Sequence, residues 1–235
     1  MNLFCVFHVF PKLYWKIQVH DKLTRMKKEG LFKEKFQINF TIIQPTKEDL
    51  TWLNLKIKQF TKNFNIYEFK ENHVEFESIK LVKEISDKNH GYILYIHTKG
   101  CYSNKKMIMN ILNWDEMMTF ITIDNWKKCI NKLKNYNCIG ANFIYVSYIP
   151  KHFSGNFWWA KTDYLKKLDN IKLYKSRYEY EFWIGKNVSI EEMNPFCPYR
   201  SPFVLNNYEK PIQKEWYNNI DFETNYLYES TKVKE

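Results

Sequence analysis

"GYILYIHTKG" occupies residues 91–100. Its first seven residues are apolar on both faces, and the chain then turns through His97, Thr98, Lys99 and Gly100. A short run of this kind reads as a strand inside a parallel sheet, covered on both sides. The residues before it agree. "LFCVFHVF" (3–10), "FQINFTII" (36–43) and "NFNIYEF" (63–69) read as three earlier strands. Between them lie stretches with helical spacing. Trp15, Val19, Leu23 and Met26 form one apolar stripe that stops at Gly30, and Leu50, Leu53, Ile57 and Phe60 form a second. Thr46 and Asp49 cap the second of these helices. Phe76, Ile79, Val82 and Ile85 mark a third. Three strand–helix units with short links predict a parallel sheet flanked by helices. Ligands of such sheets sit outside the carboxyl ends of the strands, so the turn at residues 97–100 is the first place to look for chemistry.

Downstream, a helical region is expected over about 106–133, with a break near 122–124. "CIGANFIYV" (138–146) and "GNFWWA" (155–160) read as strands, the latter leading into a helix at Thr162. "RYEYEFWIGK" (177–186) reads as a short helix. Residues 1–205 are taken as one domain and 206–235 as a polar, tyrosine-rich tail lying on it.

Composition narrows the class. The chain has 235 residues and a net charge of +10, but its lysines are interleaved with acidic residues. No block of five or six basic residues forms a nucleic-acid arm. Five cysteines, widely spaced and without a C-x-x-C pair, fit free thiols rather than a disulfide framework or a zinc site. No run approaches the ~18 apolar residues of a membrane helix, and the N-terminus lacks the pattern of a secretory signal. The expectation is a soluble, cytoplasmic protein. There is no G-x-x-x-x-G-K-[ST], G-x-G-x-x-G or G-x-S-x-G motif. His73-Val74-Glu75 resembles the start of a zinc deaminase signature, but no P-C-x-x-C follows.

Three stretches carry candidate chemistry. In the first, Lys99 and the loop amides suit an anion, Gly100 allows close backbone approach, and His97 can hold a phosphate or hydroxyl. The plain alternative is a polar turn that only ends a strand. In the second, "HFSGNFWWA" (152–160), His152, Ser154, Gly155 and Asn156 offer polar groups beside Trp158 and Trp159. Strand alternation sends the two indoles to opposite faces, so one can fill the core while the other walls a sugar pocket. The alternative is that both are core. In the third, Arg177 and Glu181 stand four apart on the short helix and are expected to meet while Glu179 points elsewhere. A carboxylate so held suits a general base; a surface ion pair is the alternative.

In this order the three stretches resemble GT-A-type glycosyltransferases, in particular short glycosyltransferase-like proteins of bacteria and large DNA viruses akin to the rhamnan-synthesis type. "YILYIHTKG" falls where that fold carries its Asp-x-Asp motif, "HFSGNFWWAKTDYL" is similar to its glycine-aromatic acceptor segment, and "RYEYEFWIG" to the late acidic segment that supplies the base. The resemblance implies a GT-A-like mixed, mainly parallel sheet. It also implies transfer of a sugar from a nucleotide-diphosphate-sugar donor to a glycan or other hydroxyl acceptor. His97, Thr98, Lys99 and Gly100 would bind the donor phosphates. His152, Ser154, Gly155, Asn156, Trp158 and Trp159 would bind sugar or acceptor, and Glu181 would be the base with Arg177 beside it. No Asp-x-Asp occurs anywhere in the chain, so no metal or other cofactor is expected. Asp115 or Glu116 would be the carboxylates to hold a cation if one took part. The rival expectation is a non-catalytic module gripping a glycan or single-stranded nucleic acid through basic and aromatic side chains.

Overall fold

A computed structural model describes residues 1–100, 108–202 and 212–227. The first half alternates as the pattern requires: β1 (Leu3–Val9), α1 (Trp15–Lys28), β2 (Phe36–Ile43), α2 (Lys47–Lys58), β3 (Phe64–Phe69), α3 (Phe76–Lys88) and β4 (Tyr92–His97). The expected cap of α2 is present in full, since Thr46 and Asp49 exchange side-chain and backbone hydrogen bonds. The second half contains α4 (Ile108–Thr119), a π-helical turn (Phe120–Asp124), α5 (Trp126–Lys132), β5 (Cys138–Gly140), β6 (Phe143–Val146), β7 (Ile149–Phe153), β8 (Trp158–Lys161), α6 (Thr162–Leu165), α7 (Tyr178–Phe182), α8 (Ile190–Met193) and β9 (Pro195–Phe196). The predicted break at 122–124 is the π-helical turn. The first residues of the predicted 106–133 helix, and the loop before them, lie outside the described residues.

The main sheet has seven strands in the order β3-β2-β1-β4-β8-β5-β9. β8 alone is reversed, pairing antiparallel with both β4 and β5. Helices cover both faces. On one face, Cys5, Phe7, Leu94, Ile96 and Trp159 pack with α1 and α4. On the other, Val6, Ile93, Tyr95 and Trp158 pack with α3. The fold is therefore mixed α/β with a mainly parallel sheet between helices.

One departure from the sequence reading bears on the site. "CIGANFIYV" is not one strand: Asn142 takes a left-handed conformation (φ 54°) and turns the chain out of the main sheet into a small β6–β7 hairpin. Its side-chain carbonyl accepts the Ser201 N–H at 2.6 Å, which fixes the turn. Of the tail, residues 212–227 are described, and Ile212, Tyr217 and Phe222 insert into the core between sheet and helices. The rest of the tail, 206–211 and 228–235, lies outside the described residues.

Four cysteines, Cys5, Cys129, Cys138 and Cys197, are buried free thiols, while Cys101 lies outside the described residues. Among the described residues, no helix is long and apolar enough to cross a membrane.

Candidate functional site

β1 and β4 are neighbours in the sheet, yet the chain leaves β1 toward β2 and reaches β4 only after β3. The strand order thus reverses between β1 and β4. Such a switch point opens a crevice at the carboxyl ends of the strands. His97 ends β4 and stands in register with His8, the residue before the last of β1. Both are buried. Burial pushes each imidazole down to about 4, helped for His97 by the Lys99 charge and for His8 by His97, so both are neutral near pH 7. His97 Nε2 donates to the Gly155 carbonyl at 2.8 Å, and its ring stands edge-on to Phe157.

The turn beyond His97 is fixed from several sides. Thr98 Oγ1 accepts the Phe10 N–H at 3.0 Å, tying this turn to the segment after β1. Gln18 of α1 acts as a strand neighbour to Lys99: its side chain donates to the Lys99 carbonyl and accepts the Lys99 N–H, both at 2.6 Å. Gly100 is left-handed at φ 74°. The main chain at Lys99 is thereby immobilised, and the ammonium lies 4.0 Å from the centroid of Trp114. Lys99 is 5% exposed. Among the described residues its ammonium has no hydrogen-bond acceptor, and its charge is felt by the Asp115 carboxylate.

The turn between β7 and β8 closes the site. Gly155 (φ 92°) and Asn156 (φ 58°) are both left-handed. Gly155 is required on packing grounds too, because a Cβ there would come within 2.5 Å of the Met118 sulfur and 2.9 Å of Trp114. Asn156 is fully buried. Its amide donates to Glu75 Oε2 at 2.7 Å and its carbonyl accepts Trp158 Nε1–H at 2.7 Å. Tyr95 donates its hydroxyl proton to the same Glu75 oxygen at 2.7 Å. Nearby, Ser78 bridges His8 Nδ1 (2.8 Å) and Thr41 Oγ1 (2.5 Å).

The structure therefore brings together His97, Thr98, Lys99, Gly100, Gly155 and Asn156. Ser154 is buried beside them and donates its N–H to the Asn142 carbonyl. His152, also buried, donates Nδ1–H to the Pro150 carbonyl at 2.8 Å and stands edge-on to Phe182 of α7. Glu181 lies close enough that its charge favours protonation of both His97 and His152, against the burial that lowers them.

Two expectations are corrected. Trp158 and Trp159 do point to opposite faces, but neither walls a pocket, because both faces of β8 are covered and both indoles are fully buried. Trp158 stacks on Tyr95, and Trp159 donates to the Thr122 carbonyl of the π-helical turn at 2.7 Å. Nor do Arg177 and Glu181 form an ion pair. Arg177 caps α7 with helical backbone angles, but its guanidinium is turned over the Tyr178 ring. Glu179 pairs instead with Lys186 at 2.6 Å.

The sequence reading missed Glu75, Tyr95, His8, Gln18 and Trp114. His8 and Tyr95 were visible as polar groups near the ends of apolar strands. Glu75 stands in the His73-Val74-Glu75 triplet, whose likeness to a metal signature says nothing of its place before α3. Asp115 and Glu116, the alternative cation ligands, are each committed to a basic side chain: Lys22 at 2.6 Å and Arg25 at 2.5 Å. Among the described residues, no three His, Cys, Asp or Glu side chains cluster as a metal site.

These features define an α/β protein with a cluster of buried polar and charged side chains at the switch point of its sheet. The chain belongs to the family described as Domain of unknown function (DUF8361), whose model matches residues 15–204. No curated protein matches it. Among solved structures, it is similar to the crystal structure of S. aureus TarS 1-349, with a TM-score of 0.45 and 9% identity. The likeness covers 88% of this chain and 63% of that one, so the chain spans less than two thirds of that structure.

Proposed function

We propose that this protein is a glycosyltransferase of GT-A-like fold, moving a sugar from a nucleotide-diphosphate donor to a hydroxyl of a glycan or similar acceptor. The observation that carries the reading is Lys99. Its ammonium is buried against Trp114 at the switch point without a hydrogen-bond acceptor among the described residues. A cation so placed fits an anion brought by a ligand, and a diphosphate leaving group develops negative charge that a transferase must stabilise. The clamp from Gln18 holds Lys99 before the ligand arrives, so little reorganisation is needed during reaction.

In this reading the diphosphate sits over the turn at 97–100, against Lys99, with the sugar pointing toward the 154–156 turn. Glu181 takes the proton from the acceptor hydroxyl as that oxygen attacks the anomeric carbon. The bond from that carbon to the diphosphate oxygen breaks, and Lys99 meets the charge left on the diphosphate. His97, neutral, keeps the 154–156 turn in place through Gly155. Buried Trp158 and Trp159 weigh against a binding module built on aromatic platforms, since stacking needs an open ring face.

The test is a thermal-shift panel of nucleoside diphosphates and nucleotide sugars. A ligand present at 100 times its dissociation constant stabilises by about 2.7 kcal/mol. Stabilisation by one nucleoside diphosphate, together with slow hydrolysis of the matching nucleotide sugar, is expected. A panel without any stabilising member refutes the assignment.

A further inference from the structure

Glu75 is 8% exposed, and it directly precedes α3. A side chain there commonly caps its own helix, yet this one makes no capping bond. It turns inward and presents Oε2 to two donors, the Tyr95 hydroxyl and the Asn156 amide, both at 2.7 Å. Asn156 is itself held by Trp158 Nε1–H. The carboxylate is thus fixed in position and rotation by groups from β4 and β8. Both bonds go to Oε2; the second oxygen, Oε1, has no hydrogen-bond partner among the described residues. A carboxylate taken out of water with one oxygen unmatched is costly to keep.

The backbone around it is strained as well. Val74 is held at φ 56°, a conformation that a β-branched residue rarely adopts. Its N–H donates to Asn72 Oδ1 at 3.0 Å. Strain of this kind persists where a local geometry is needed, and its effect here is to turn Glu75 in toward Tyr95. The surroundings set the kind of ligand. His8 and His97 are neutral, and the Lys99 ammonium lies over Trp114, which packs against Gly155. The unpartnered carboxylate oxygen accepts hydrogen bonds and repels anions, which suits a neutral hydroxyl donor.

We propose that Glu75 holds the donor's sugar, with Oε1 accepting a hydrogen bond from a ring hydroxyl of an uncharged hexose. This rests on the glycosyltransferase reading and adds a specificity residue to it. Uronic acids, which bring a second carboxylate, are excluded by like charge.

The experiment compares wild type with Glu75→Gln by calorimetry, using UDP, GDP and dTDP and their hexose conjugates. Glutamine preserves the acceptor for Tyr95 and Asn156 but replaces Oε1 with a donor. The expected result is unchanged affinity for the nucleoside diphosphate and a loss of about ten- to a hundredfold for the hexose conjugate, the range for a hydrogen bond to a charged group. Retained affinity for both ligands overturns the proposal. Equal loss of both in a variant with wild-type circular dichroism also overturns it, since Glu75 would then serve the nucleotide or the fold. If Glu75→Gln does not fold, Tyr95→Phe removes one anchor of Oε2, and a selective loss for the conjugate is still required. Wild-type protein that binds no nucleoside diphosphate sinks the glycosyltransferase reading itself. Binding of the diphosphate without any gain from a hexose sinks only the role of Glu75.

Discussion

The Lys99 ammonium and the Trp114 ring lie 4.0 Å apart, and the Trp114 ring in turn packs against Gly155. One contact therefore joins the turn after β4, helix α4 and the turn before β8. Cation–π attraction holds the ammonium without consuming its donors. Those donors stay available to a phosphate.

Lys99→Ala should abolish most nucleoside diphosphate binding and lower turnover by about 10²–10³-fold, the usual effect of removing one donor from a preorganised site. Lys99→Arg should recover part of the binding but not the turnover, because the guanidinium is longer and planar. Isothermal titration with the diphosphate, alongside donor-hydrolysis rates, checks both. Normal binding by Lys99→Ala would remove the main support for the anion site.

Glu181→Gln should cut turnover about 10²-fold or more while leaving diphosphate affinity unchanged, as expected for a base that acts on the acceptor. Glu179→Gln is the contrast. Its carboxylate pairs with Lys186 away from the histidines, so activity should be retained. The opposite ranking of the two variants would move the base to Glu179.

Trp158→Ala and Trp159→Ala should each destabilise the fold by about 3–5 kcal/mol, read from urea unfolding. Each change empties a fully buried site and strands a hydrogen-bond acceptor, Asn156 Oδ1 in one case and the Thr122 carbonyl in the other. A stable, well-folded Trp158→Ala would contradict its place at the heart of the Tyr95–Asn156 packing.

The tryptophans also show what the sequence carried and what it did not. Alternation along β8 was legible, because side-chain direction follows from strand geometry alone. Exposure was not, because it depends on which helices later cover each face, and α4 and α3 come from distant parts of the chain. The same division runs through the site. "YILYIHTKG" announced a covered strand and a polar turn at its carboxyl end. The partners of that turn, Gln18 and Trp114, are set by helix packing and left no local signal. Glu75 was hidden for a different reason: its role depends on a left-handed Val74, and nothing in the identity of valine predicts that conformation. Arg177 and Glu181 failed because spacing of four sets the backbone turn but not the side-chain direction, and the Arg177 guanidinium lies over Tyr178.

Acid should weaken the fold through His8 and His97. Both are neutral when folded, with values lowered from 6.5 to about 4 chiefly by burial. As pH falls below 6.5 the unfolded chain takes up protons that the folded one refuses. The stability contribution is therefore complete above about pH 6.5 and declines as pH drops toward 4, with a limiting slope of about 1.4 kcal/mol per pH unit for each histidine. Asp124 opposes this. Burial raises it to about 6, so between that value and 3.8 the folded state gains the proton first and is favoured by acid. Asp115, also raised by burial, works in the same direction. Imidazole resonances separate the contributions: those of His8 and His97 should keep their neutral positions at pH 5.5. Protonation of either ring at that pH in the folded protein would refute the assignment.

The last prediction concerns divalent cations. The two carboxylates placed by sequence as alternative ligands are already engaged, Asp115 with Lys22 and Glu116 with Arg25. Drawing Asp115 Oδ2 toward a cation would strand Lys22, whereas Glu116 shares Arg25 with Asp21 and Asp124, and Asp115 Oδ1 is buried without a hydrogen-bond partner. Lys22 is wholly buried, so losing its partner would cost about 3–5 kcal/mol. A metal bound there would have to offset that penalty before contributing anything to catalysis. Lys99 needs no such exchange, since among the described residues its ammonium has no hydrogen-bond acceptor to give up. Transfer is therefore expected to persist in a strong chelator, and added manganese or magnesium should change the rate by less than about tenfold, a barrier difference under about 1.4 kcal/mol. The assay is donor hydrolysis or transfer with chelator, without it, and after metal is restored. Activity that disappears in chelator and returns with metal would show that a cation, not Lys99 alone, neutralises the leaving diphosphate. Lys99→Ala under the same conditions would then measure what the lysine adds.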